Sequence, residues 1–372
     1  MKKIVFIIFV LITVVLDAQE FNDSFFIDPT IRQNDSTKLF LRIENNNFFK
    51  NDEYFGGLTS GLTYIGTYIQ PKLVYQPYSK IKIQAGVHLL KYSGLDVFSK
   101  VLPVFSIQYN PKQGIDFIMG SINGGANHRI IEPLYSFENY LINNLENGAQ
   151  LLIRKKRFYL DLWLNWENFI LKTSHSQESI LGGLHISYLL FEKENKSELS
   201  LDFQSIIAHK GGQFHDADDI LQTIINTATG LKYTKIQNVG RIKSYGIFAH
   251  YVTYNDPSPL PQLPYLMGYA VSTELFMNTK YFRLKGGYWS GEYFVSSRGN
   301  PLFMSVSDKD PDFVLPRTEL ITFKIAYKRQ LFKDIAFEAR FEPYLDLMQR
   351  QVEYSYSFYM IFNRDFFLRK VK

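Results

Sequence analysis

The sequence lacks cysteine, a large excess of charge of one sign and, beyond residue 18, any apolar run near the roughly 20 residues of a transmembrane helix. Without cysteine, it is not a small secreted fold held together by disulfides. The formal net charge is +5, and removing residues 1–18, with two lysines and one aspartate, leaves +4, so we expect no nucleic acid partner. No phosphate-binding glycine loop, metalloprotease helix or catalytic carboxylate pair is recognisable, and we expect no cofactor.

The N-terminus has the three parts of a cleavable export signal. Lys2 and Lys3 precede an apolar run from Ile4 to Leu16, and a small residue, Ala18, follows. We predict that residues 1–18 are a signal peptide cleaved after Ala18. The alternative is an uncleaved membrane anchor, for which the run is short.

The rest of the chain contains about sixteen strand candidates, within a range of roughly 14 to 18, and several show apolar and polar residues in alternation. Along residues 158–167, one face carries Phe158, Leu160, Leu162, Leu164 and Trp166, and the other carries Tyr159, Asp161, Trp163, Asn165 and Glu167. Along residues 335–347, an apolar face opposes Glu338, Arg340, Glu342 and Asp346. A mean hydropathy of −0.14 with 16% aromatic residues is typical of strands that separate lipid from a wet lumen.

The connections between the strand candidates alternate in length. Short polar breaks lie at Pro77–Ser79, Asn110–Gly114, Arg154–Arg157, Glu192–Ser197, Gln237–Arg241, Asn278–Lys280 and Gln330–Asp334. Longer segments lie between them at Asn45–Gly57, Tyr92–Phe98, Ile122–Asn147, Leu171–Ser179, His209–Asn226, Tyr254–Tyr265 and Ser297–Arg317. This sorting predicts an all-β fold, a transmembrane antiparallel up-and-down β-barrel with the long loops outside, short helices in some of them, and both termini in the periplasm.

The last strand candidate carries the clearest resemblance to a known class. Tyr354, Tyr356, Phe358, Met360 and Phe362 form an alternating aromatic face, which resembles the C-terminal assembly signal of Gram-negative outer-membrane β-barrels. The chain departs from that pattern because it continues beyond Phe362 into a basic end. The resemblance implies residence in the cell outer membrane, contact with its lipid and lipopolysaccharide, and insertion by the barrel-assembly machinery.

The amino-acid composition does not change markedly along the chain, so we predict one domain. After the signal peptide come a polar leader at 19–37, a barrel at 38–363 and a basic C-terminal tail at 364–372. The leader has two candidate positions, in the periplasm or inside the lumen as the start of a plug.

The segment from Ile122 to Asn147 is the first candidate site. Leu134, Phe137, Leu141 and Leu145 recur at helical spacing after Pro133, and Gly148 stands where a helix would stop. An amphipathic helix has to bury its apolar face, either in the lumen or over the mouth. In the lumen it would form a constriction that selects by charge, with His128, Arg129, Glu132 and Glu138 on the loop and Asp161, Glu167, Glu338, Arg340 and Glu342 on the wall. The alternative is that these groups only brace the loop.

The segment from His209 to Asp219 is the second candidate. His209, His215 and Asp216 are the weak candidates for a divalent cation, because imidazole and carboxylate suit zinc or manganese. An acidic cap on a helix at residues 220–225 explains the aspartates equally well.

These features predict a porin-like channel for small hydrophilic solutes. The alternative is a non-conducting surface barrel that binds glycan or protein through its loops, and Tyr159, Trp163 and Tyr344 could stack on sugars. A lipid-hydrolysing or acyl-transferring enzyme is the third possibility, with His185 and Ser187, or Ser174, His175 and Ser176, as nucleophile and base. We predict no catalytic residue, since no orienting third group can be placed beside either pair.

Overall fold

The chain folds into a closed barrel of sixteen antiparallel strands. The computed structural model describes residues 21–171, 176–193, 196–212, 220–237, 240–310 and 312–371. The strands are β1 (Lys38–Glu53), β2 (Thr63–Tyr78), β3 (Ile81–Tyr92), β4 (Lys100–Lys112), β5 (Ile115–Ser121), β6 (Asn147–Lys155), β7 (Phe158–Asn168), β8 (Ser179–Lys193), β9 (Ser197–Lys210), β10 (Gln222–Ile236), β11 (Ile242–Asn255), β12 (Met267–Thr279), β13 (Phe282–Glu292), β14 (Arg317–Phe332), β15 (Ile335–Asp346) and β16 (Gln351–Lys370).

Each strand pairs with its neighbours in sequence, and β1 closes the barrel against β16. The connections alternate in length as predicted, with short turns after the even-numbered strands and long loops after most odd-numbered ones. The predicted all-β fold and the sixteen strands are therefore confirmed. Among the described residues, no helix combines the length and apolar character needed to span a membrane.

Two strand boundaries differ from the sequence prediction. Strand β1 runs to Glu53, past the predicted loop start at Asn45, because Glu44, Asn46 and Lys50 continue the inward period of two. Strand β16 includes residues assigned to the tail, since pairing with β1 continues to Lys370.

The predicted helices are mostly absent. Between Pro133 and Gly148, the α-helix is only α1 (Glu138–Ile142), because β6 already begins at Asn147. Residues 220–225 form no helix; β10 starts at Gln222 and pairs with β9 from there.

Three segments pack inside the barrel. The leader, here residues 21–37, crosses the lumen: Arg283 on β13 donates to Asp23 at 2.6 Å, and Lys82 on β3 donates to the carbonyl of Pro29 at 2.8 Å. Phe25 is 1% exposed and packs edge-on against three aromatic rings at 5.0 to 5.1 Å. Of the two placements considered for the leader, the lumen is the one that its described residues adopt.

The other two segments enter from the opposite end. Loop L3 (residues 122–146) contacts the barrel wall at β1, β7 and β14. Loop L7 (the described residues of 293–316) forms hydrogen bonds with β10 and with L3. Cavities between these segments and the wall are small, one of about 70 Å³ and another of about 10 Å³. The leader, L3 and L7 therefore occupy part of the lumen in the residues that the structure describes.

Candidate functional site

A buried histidine is one of the residues that hold loop L3 in the lumen. His128 is fully buried, and its Nδ1 donates to Asp161 on β7 at 2.8 Å while its Nε2 donates to Glu146 at 2.9 Å. The imidazole also stacks on Trp163, with ring centroids 3.6 Å apart. Glu146 receives further bonds from the Gly125 amide and the Tyr135 hydroxyl, at 2.8 and 3.0 Å.

This arrangement favours a doubly protonated His128. Both ring nitrogens face carboxylate oxygens. An ionised carboxylate can accept hydrogen bonds but cannot donate them, so each ring nitrogen has to be the donor. Burial alone lowers the pKa of His128, but the charges of Glu146 and Asp161 outweigh it and raise the pKa to about 9. Burial alone would raise the pKa of Glu146. The charge of His128 outweighs burial, so the pKa of Glu146 lies below its usual value.

A second histidine group lies beside the first. His185 on β8 donates from Nδ1 to the carbonyl of His128 at 3.0 Å and from Nε2 to Asp202 at 2.8 Å. Asp202 also accepts from His250 at 3.2 Å. Because both ring nitrogens of His185 are engaged and the side chain is buried, it is not placed to act as a base for Ser187.

The remaining predicted constriction residues form ion pairs across the occupied lumen. Glu132 pairs with Lys324 and accepts from Tyr344 and Asn300, at 2.9 and 2.8 Å, which ties L3 to L7 and the wall. Burial alone would raise the pKa of Glu132, but Lys324 lowers it. Glu138 lies 2.5 Å from the Lys50 ammonium. These contacts connect L3 to L7 and to the barrel wall.

The wall residues show the same pattern. Arg340 donates to Glu338 at 2.6 Å and lies 4.0 Å from Glu342. Glu167, at the mouth, pairs with Arg298 of L7. Arg129 adopts a left-handed backbone and lies over the rings of Phe26 and Tyr159 at 4.9 and 5.1 Å. The wall residues Glu338 and Arg340 therefore contact the leader, and Arg340 also lies over Phe137 of L3.

The metal prediction finds no geometric support in the described part of the chain. His209 shares a hydrogen bond with Thr223 at 2.9 Å, and no group of three or more potential ligands occurs among the residues described. His215 and Asp216, like Ser174 and His175 of the proposed nucleophile group, lie outside the described residues.

The outer wall carries a polar patch that the sequence analysis missed. Asn45, Asn47 and Asn51 on β1 face outward, in register with Phe362, Met360 and Tyr356 on β16. Those partners belong to the apolar and aromatic band of the barrel, and Met360 is 39% exposed. Polar side chains at that level are unusual, because the outward face of a membrane barrel is apolar.

The patch is organised by hydrogen bonds into two groups. In the upper group, at the extracellular rim, Thr63 donates to Asn51, whose amide donates to Glu53 at 2.6 Å and to the Tyr356 hydroxyl at 3.2 Å. In the lower group, Asn47 donates to Asn45 at 2.8 Å, and Asn45 donates to Thr67 at 3.0 Å.

We name these seven residues the outer-wall patch: Asn45, Asn47, Asn51, Glu53, Thr63, Thr67 and Tyr356. A visible signal existed in the sequence. Residues 44–53 are polar at both parities except for two phenylalanines, which is why the segment resembled a loop.

The fold is that of outer-membrane barrels. OprD of Pseudomonas aeruginosa superposes with a TM-score of 0.52 at 10% sequence identity, covering 89% of this chain and 96% of that one. A loop-deletion mutant of OmpT from Vibrio cholerae gives a TM-score of 0.49 at 8% identity, over 88% and 99% of the two chains. With its closed wall and apolar outward face, this protein is an outer-membrane β-barrel, as predicted.

The sequence also matches one particular family of outer-membrane proteins. Residues 31–371 match the family described as Lipid A 3′-O-deacylase-type, and the chain belongs to it. No curated protein matches the sequence.

Proposed function

We propose that this protein is an outer-membrane hydrolase that removes an ester-linked acyl chain from lipid A at the outer-wall patch. The observation that carries the proposal is a hydrogen-bonded carboxylate, Glu53, on the lipid side of the barrel at the extracellular rim. The family description supplies the substrate, since it names lipid A and the 3′-O-acyl ester. Lipid A would reach the patch from the membrane, without entering the barrel.

The occupied lumen supports this reading over the channel predicted from the sequence. A solute pore needs an open path, whereas described residues of the leader, L3 and L7 lie inside the barrel and bond to its wall. The inward charges that suggested a selectivity filter are paired with one another, as in Arg340 with Glu338. The geometry therefore favours a barrel that works on its outer surface.

The upper group of the patch contains the parts of an ester hydrolase. Glu53 is an acceptor suited to take a proton from water, which then attacks the acyl carbonyl. The Tyr356 hydroxyl accepts from Asn51, so its own hydrogen remains for the carbonyl oxygen, where negative charge develops. Attack forms a tetrahedral carbon, and its collapse breaks the bond to the sugar oxygen, which takes a proton and leaves the fatty acid. Asn51 and Thr63 are positioning residues, because they hold Glu53 and Tyr356 together.

The test is mass spectrometry of lipid A from cells that produce the protein. The wild type should give lipid A lighter by one acyl chain. The variant Glu53→Gln lacks the general base. It should reduce the amount of deacylated lipid A by roughly 100-fold or more, in line with the usual contribution of a general base. Tyr356→Phe should also lower turnover, since it removes the donor to the developing oxyanion.

A matched control lies elsewhere on the outer wall. Glu292 accepts from the Tyr269 hydroxyl at 2.6 Å, as an exposed carboxylate and tyrosine pair on β13 and β12. Glu292→Gln should leave lipid A deacylation unchanged. Unaltered lipid A with folded wild-type protein would contradict the proposed hydrolysis, and full activity in Glu53→Gln would remove the patch from it. Binding of lipid A without turnover would instead favour the non-conducting binding barrel.

A further inference from the structure

A polar cavity of about 70 Å³ lies inside the periplasmic half of the barrel. Strands β1 to β5 form one side, and the leader and L3 cover the other. Three basic side chains line it, Arg42, Lys72 and Lys82, together with two carboxylates, Glu44 and Asp28. Its volume exceeds the 10 to 15 Å³ or so that a single water requires, which leaves space for a small ion.

Two of the three cations already have carboxylate partners. The Arg42 guanidinium makes two bonds to Asp365, at 2.5 and 2.6 Å. The Lys72 ammonium lies 2.8 Å from Glu44. Asp28, at the edge of the cavity, lies 3.6 Å from Arg154 and accepts from the Thr30 amide. Glu44 and Asp28 thus each have another basic partner, and among the described residues neither forms an ion pair with Lys82.

Lys82 is the exception. Its side chain is 5% exposed, and its ammonium donates to the carbonyl of Pro29 at 2.8 Å. In the part of the chain that the structure describes, it makes no ion pair. An ammonium has three donors and is costly to bury without an opposite charge, so two N–H groups remain for a ligand.

Neighbouring groups complete a donor set. Ser106 is 1% exposed, lines the cavity and accepts from Gln84 at 3.1 Å, so its hydroxyl hydrogen is left to donate. Lys72 lies on the adjacent strand, where its ammonium contacts Glu44. These groups suit an oxygen-rich anion more than an apolar or cationic ligand.

We propose that this cavity binds a small inorganic oxyanion, of the size of phosphate or sulfate, through Lys82, Lys72 and Ser106. The anion balances the charge of Lys82 and ties the leader, through Pro29, to the barrel wall. The site is internal and separate from the outer-wall patch, so its test does not depend on lipid A hydrolysis.

The test measures phosphate binding to the purified full-length barrel in detergent by calorimetry, and the unfolding midpoint in phosphate against chloride at equal ionic strength. The wild type should bind phosphate and unfold at a higher denaturant concentration in phosphate, because a ligand that binds only the folded state stabilises it. Lys82→Met should lose the phosphate response, while being no less stable than the wild type in chloride, since a buried ammonium has been removed. Lys80→Met, at the exposed turn two residues away, is the matched control and should respond like the wild type.

Three outcomes would overturn the proposal: no phosphate binding to the wild type, an equal response to chloride, or an undiminished response in Lys82→Met. If Lys82→Met does not fold, Lys82→Gln provides the same comparison with a polar replacement. A wild type that binds phosphate, together with a Lys82 variant that does not, supports the site.

Discussion

Raising the pH through 9 should weaken the barrel by removing the charge on His128. The imidazolium is enclosed by Asp161 and Glu146, while Gln150 donates to Asp161 and Tyr135 to Glu146, and the Trp163 ring covers one face. Because the pKa of His128 is raised to about 9 from 6.5, the folded state holds its proton more tightly than the unfolded chain. This stabilisation is complete below pH 6.5 and is lost as the pH rises through 9.

The expected magnitude is about 3 kcal/mol, from about 1.4 kcal/mol for each pH unit between the two pKa values. His128 is fully buried, so solvent screening does not reduce this figure. The measurement is the free energy of unfolding by urea in detergent at pH 6 and pH 10, followed by tryptophan fluorescence. Trp163, which stacks on the imidazole, is one of the three tryptophans that contribute to this fluorescence.

The variant His128→Gln isolates the effect from other groups that titrate at alkaline pH. It should be about 3 to 5 kcal/mol less stable than the wild type at pH 6, because two buried carboxylates then lack their shared cation. Its stability should change less between pH 6 and 10 than that of the wild type, by about 3 kcal/mol. Equal pH dependence in the two proteins would refute the charged histidine.

Two further perturbations test the packed lumen. The wild type should show no conductance in planar bilayers, whereas deleting residues 21–36 should open an anion-preferring path, because Arg283 and Lys328 lose Asp23; a wild type that conducts like a porin would contradict the occupied lumen. Gly183→Ala should cost roughly 1 to 3 kcal/mol in urea unfolding, because a Cβ there would overlap the Trp163 ring that stacks on His128. Gly182→Ala is its control, since its Cβ would meet nothing closer than 3.9 Å; similar losses in both would contradict the steric reasoning.

The strands were predictable because their signal is local. Asp161 and Trp163 alternate with Leu162 and Leu164, and the structure buries the first pair while exposing the second. Charged residues such as Glu338 and Arg340 were likewise assigned to the inner face, where they lie. Period-two alternation needs only neighbouring residues, so a single sequence contains it.

The contents of the lumen were not predictable in the same way. Asp161 binds His128 from 33 residues away, and Glu132 meets Lys324 across 192 residues. No periodicity connects such partners; they meet because L3 folds back into the barrel. The short α1 has the same origin, since Tyr140 packs beside Phe25 of the leader and helical spacing alone could not reveal that contact.

The polar interior and the polar outer wall have opposite consequences. Inside, Arg340 and Glu338 form an ion pair, which offsets part of the cost of burying both charges. Outside, Glu53 has its hydrogen bond from Asn51 on a surface that otherwise faces lipid, where a carboxylate gains nothing from apolar neighbours. A chain selected only for insertion would place apolar residues there. The outer-wall patch is therefore the part of this barrel whose chemistry folding does not explain, and the part where substrate turnover should be sought.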